Sequence, residues 1–108
     1  MARTRTPLPV ARALTTVGTQ LATWRRLRNL TVEQVADRAG LSRGTVSALE
    51  NGRGASLENT LRVARAVGVL DLIVGAADPY ETDLGRARAD ERLPQRVRTP
   101  RTPPVTDA

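Results

Sequence analysis

The chain has 108 residues and a net charge of +6, with 17 arginines and no lysine, histidine or cysteine. Without cysteine there is no disulfide framework or thiolate chemistry, and a reducing compartment is expected. With histidine also missing, ordinary zinc sites, imidazole bases and Ser-His-Asp triads are excluded; no run approaches the roughly 18 apolar residues of a membrane span.

In chain order, residues 1–12 carry Arg3, Arg5 and Arg12 with no acid. Pro7 and Pro9 oppose an amphipathic helix there, so a disordered basic arm is expected in place of a targeting peptide. The folded domain is expected over 13–77. Its first helix is predicted from near Ala13 to Arg28, with Leu14, Val17, Leu21 and Trp24 on one side. Arg25, Arg26 and Arg28 cluster at its C-terminal end, where cations suit the helix dipole, and Asn29 supplies a left-handed stop.

The segment TVEQVADRAGLSRGTVSALENG, residues 31–52, is the most informative. Thr31 caps a second helix and Gln34, three residues on, completes a capping box, while Val32, Val35, Ala36 and Ala39 recur at helical spacing. Gly40 ends that helix. Ser42 caps a third, whose Val46 and Leu49 point inward and whose Arg43, Gly44, Ser47, Ala48 and Asn51 point outward. Two short helices joined by a glycine-containing turn, the second with a small polar face, form a helix-turn-helix whose second helix fits a DNA major groove.

After a loop at Arg53-Gly54-Ala55, Ser56 caps a fourth helix over about 57–67, with Leu57, Leu61, Ala64 and Val67 inward; Gly68 breaks it. Val69 to Ala77 reads as a fifth helix that is apolar on nearly every side. Such a helix must be covered, and a small bundle lacking phenylalanine has little core to cover it with, so burial against a second copy is expected. Residues 78–108 are expected to form a flexible tail. It is acid-rich to Glu91 and then basic and proline-rich, with Leu84, Leu93 and Val97 as isolated anchors that suit a segment ordering on a partner. The charge is uneven: residues 1–30 hold six arginines and no acid, whereas 77–108 hold six of each. The excess at the arm and first helix suits a phosphate backbone.

The run from about Gly18 to Val74 resembles the phage-repressor-like helix-turn-helix family of the Cro/CI or xenobiotic-response-element type. The matching elements are LATWRRLRNLT, VEQVADRAGLS, RGTVSALENG and SLENTLRVARAVGV. The resemblance implies an all-α, five-helix bundle, usually dimeric, that represses or activates transcription. Carried onto this sequence, it places Ser42, Arg43, Gly44, Ser47 and Ala48 against bases and Thr31, Val32, Asn51 and Arg53 against phosphates. Val32 is apolar where a polar residue is common, so it contributes no phosphate hydrogen bond. Gly44 and Ala48 are short where longer amides are frequent, which leaves base reading chiefly to Arg43, whose fork matches guanine O6 and N7. The resemblance also pairs Glu50 structurally with Arg25. Trp24 reads as core, not as a stacking platform.

The expected function is that of a sequence-specific, cytoplasmic DNA-binding regulator, a dimeric repressor on a palindromic operator. The alternative is a HipB-like antitoxin that represses its own operon and binds a HipA-type kinase toxin through the tail. No phosphate loop, metal cluster, activated nucleophile or carboxylate pair can be assembled, so neither enzymatic activity nor a cofactor is expected.

Overall fold

The prolines that oppose a helix in the interior instead stand at the start of one. In the computed structural model, which describes residues 4–92, α1 runs Leu8–Leu27 with Pro7 at its N-cap and Pro9 in the first turn. A first-turn proline sacrifices only an N–H that has no intrahelical partner, and its fixed φ suits the helix. The helix therefore begins five residues before the expected Ala13 and takes in Arg12. Arg3 and the proline-rich stretch 93–108, with Leu93 and Val97, lie outside the described residues.

Asn29 adopts φ 58° and turns the chain out of α1. α2 (Val32–Ala39) opens with the capping box: the Thr31 hydroxyl accepts from Gln34 N at 3.0 Å, and the Gln34 side chain accepts from Thr31 N at 2.9 Å. Gly40 closes it in the left-handed region at φ 70°. α3 (Arg43–Glu50) and α4 (Leu57–Ala66) follow, capped by Ser42 and Ser56, and α5 spans Leu70–Ala76. The described residues contain helices and no strand, so the fold is all-α.

The chain divides into two compact units between Ile73 and Val74, within α5. In the first, α2 packs on both α3 and α4, and α1 on α3. Val35, Val46, Val63 and Val67 are fully buried, joined by Leu21, Leu30, Leu49 and several alanines. Small side chains let the helices approach closely. A Cβ at Gly18 would overlap the Leu49 carbonyl oxygen and stand 2.8 Å from that of Glu50, so glycine at this point of α1 sets the α1–α3 crossing.

Two inward assignments are corrected. Leu57 is 73% exposed. It shares a face with buried Ala64, but burial fades from Ala64 through half-buried Leu61, so the core ends before the first turn of α4. Val63, not singled out by the pattern, is buried in its stead. Val17 is exposed, the inward line of α1 being Gly18, Leu21 and Ala22. In α5 no residue is fully buried and Leu72 is 61% exposed; Ile73 packs partly against the core.

The second unit contains a 3-10 turn at Pro79–Glu81 and a sixth helix, α6 (Asp83–Arg92), where a flexible tail is expected from composition. Local hydrogen bonds hold it. Asp78 accepts from Tyr80 N, the Thr82 hydroxyl donates to Pro79 O and accepts from Gly85 N, and Arg86 donates to Tyr80 O. Capping of this kind defines a helix start without any apolar stripe.

Candidate nucleic-acid interface

The outward face of α3 begins at its cap. Ser42 Oγ accepts from Thr45 N at 3.1 Å and lies 2.9 Å from Thr45 Oγ1. Ser42 therefore enters the site already engaged, and Thr45, half-buried and not singled out by sequence, is coupled to it. Val46 and Leu49 fix the opposite face in the core at 0% and 4% exposure. What remains outward is Arg43 and Gly44, exposed in the first turn, and Ser47 and Ala48, half-buried one turn on. A Cβ at Gly44 would meet only Ser42 Oγ, at 3.9 Å, so a surface can approach this turn closely.

The expected phosphate contacts stand on separate elements. Thr31 is exposed at the α2 N-cap, its hydroxyl oxygen accepting within the capping box. Val32 is half-buried and packs against the core. Asn51, exposed, is the C-cap of α3, and exposed Arg53 follows, its N–H bonded to Ala48 O at 2.9 Å.

α3 is anchored from behind by an ion pair. Arg25 Nε donates to Glu50 Oε2 at 2.7 Å and Nη2 to Oε1 at 3.1 Å, a two-pronged contact with the two side chains 12% and 10% exposed. Arg25 Nη1 also donates to Leu30 O at 2.9 Å, tying the turn into α2 to the same guanidinium. The hydrogen bonds that Arg25 donates to Glu50 raise its pKa, outweighing the opposing effect of burial, and the carboxylate's charge adds to the rise. Planar bidentate pairing gives this contact its directionality.

Other arginines are also occupied within the fold. Arg28 Nε donates to Val67 O at 3.0 Å, beyond the last turn of α4, with its guanidinium 5.7 Å from the Trp24 ring centroid. Arg62 Nη1 donates to Ala39 O at 3.1 Å, at the end of α2. Arginine thus closes helix C-termini in this fold, where cations and donors meet orphan carbonyls. Nothing in a linear pattern separates such arginines from those facing solvent.

Among the described residues no helix is long and apolar enough to cross a membrane, and no three His, Cys, Asp or Glu side chains gather as a metal site. Residues 21–72, from the middle of α1 into α5, match the family described as Helix-turn-helix. That segment is a helix-turn-helix domain of the XRE, Cro/CI-like type, and places the protein among DNA-binding transcription regulators. No curated protein and no solved structure gives a significant match to the chain.

Proposed function

We propose that the protein is a dimeric, cytoplasmic repressor that reads a palindromic operator by placing α3 in the major groove. The observation that carries this reading is the division of α3: Val46 and Leu49 lie in the core, while Arg43 and Gly44 stand exposed at its N-terminal turn. Recognition helices of this class meet base edges with their N-terminal residues. Arg43 takes the guanine-reading role, with Ser47 secondary and Ser42, Gly44 and Ala48 allowing close approach. Thr31, Asn51 and Arg53 supply phosphate contacts that fix register. Two copies related by a two-fold axis place their recognition helices about one DNA turn apart, and the uncovered apolar residues of α5 support such pairing.

Methylation interference tests the groove assignment. Methyl groups at guanine N7, in the major groove, should block binding at one or two positions per half-site. Interference confined to adenine N3, in the minor groove, would contradict it.

One observation favours a second reading. The unit around α6 is built by its own caps, which gives an antitoxin a structured element to offer a toxin partner. In that reading the chain represses its own operon and also binds a kinase-type toxin through residues beyond Ala77.

A further inference from the structure

One edge of α1 is only partly covered within its own unit. Val10, Val17 and Trp24 are spaced seven residues apart along it, so an uncharged line runs about 21 Å down the helix. Two shallow hollows flank Val17. The first, of about 160 Å³, lies between Val10, Leu14, Leu49 and Ala55. The second, of about 140 Å³, lies between Gln20, Trp24, Leu72 and Ile73. No charged residue lines either, although 26% of the chain is charged. Val10 is 49%, Val17 39% and Leu72 61% exposed. The helix-turn-helix match begins only at residue 21, so the N-terminal half of this edge is not explained by DNA recognition.

We propose that this edge is the seam of the homodimer. In it α1 packs antiparallel on α1 of a second copy, with the two-fold axis at Val17. The inference rests on the dimeric reading given above and locates its interface on α1 in addition to α5. Two features select a second copy as the occupant. An isologous interface meets itself at the axis, where any charge would face its own kind, and the two hollows beside Val17 are lined by none. Val10 and Trp24 are equidistant from Val17, so a two-fold rotation sets each against the other. Seven-residue spacing also keeps such side chains in register along a pair of closely aligned helices. A nucleic acid is a poor occupant, because the strip offers no cation.

The cysteine-free sequence permits a direct test. Val17→Cys gives each chain a single thiol at the axis, where packed helices bring facing positions within disulfide reach. Oxidised glutathione should convert the full-length variant into a covalent dimer. Val10→Cys should not cross-link to its own counterpart, which lies about 21 Å away along an antiparallel pair. Val17→Glu should weaken dimerisation at least about 100-fold in sedimentation while leaving the circular dichroism spectrum unchanged. If the wild type is dimeric but Val17→Cys does not cross-link and Val17→Glu stays dimeric, the seam lies elsewhere; the dimeric reading then survives and this inference falls. Equal cross-linking of Val10→Cys would signify random collision and also overturn it. A wild type that is monomeric both free and on DNA would overturn both.

Discussion

Arg43 and Arg25 illustrate two uses of one side chain. Arg43 is exposed in the first turn of α3, whereas Arg25 is 12% exposed and fixed by three hydrogen bonds to Glu50 and Leu30. Removing the first should affect recognition and leave folding intact. Arg43→Ala is expected to cost about 1–3 kcal/mol on the preferred site and to relax preference at one base position. Titrations on specific and random DNA check this; an equal loss on both would make Arg43 a phosphate contact. Glu50→Gln should do the opposite. It leaves a buried guanidinium without its counter-charge, at a cost on the order of 3 kcal/mol, and lowers Tm by more than about 10 °C. Because the Arg25 pKa is raised, the stability it lends is complete below arginine's ordinary range and lost only as pH rises past the shifted value. Melts between about pH 7 and 10 should therefore carry no transition from Arg25.

At the scale of elements, the helix-turn-helix is legible because its boundaries are written in local chemistry. Thr31 and Gln34 cap α2, Gly40 stops it, and Ser42 starts α3, each within a few residues of what it controls. α1 was less legible, since Pro9 disrupts a helix interior but is favoured in a first turn, and only the position of the helix start distinguishes the two. α6 was hidden for a different reason. Its sequence, DLGRARADER, has no apolar periodicity, and its start is set by the Thr82 hydroxyl and a close approach of Gly85 to Pro79. The exposure of Leu57 depends on where α4 begins relative to its neighbours, which periodicity along one helix does not encode. Residues beyond Ala77 should be separable from DNA recognition: a chain ending there is expected to bind DNA with unchanged affinity. A large loss in a direct binding titration would make the second unit part of the DNA-binding surface.

For the whole molecule, charge and shape divide the work. The N-terminal 30 residues hold six arginines and no acid, but Arg25 and Arg28 are directed to Glu50, Leu30 and Val67. Among the described arginines of this third, Arg5, Arg12 and Arg26 remain for a phosphate backbone, while Arg3 lies outside the described residues. Replacing Arg3 and Arg5 by alanine should flatten the slope of log affinity against log salt by up to about 0.9 per phosphate released. An identical slope would show that the segment before α1 does not reach DNA. The candidate interface is thus partly readable in sequence: the outward set on α3 follows from its periodicity, whereas which arginines are consumed within the fold emerges only from their distances.

Selection of bound sites from random-sequence DNA by the purified full-length protein tests the central claim most directly. The account predicts enrichment of a two-fold symmetric site, with half-site centres about 10–10.5 base pairs apart and a guanine at a fixed place in each half. Recovery of no common sequence, or of a single half-site without symmetry, would contradict it.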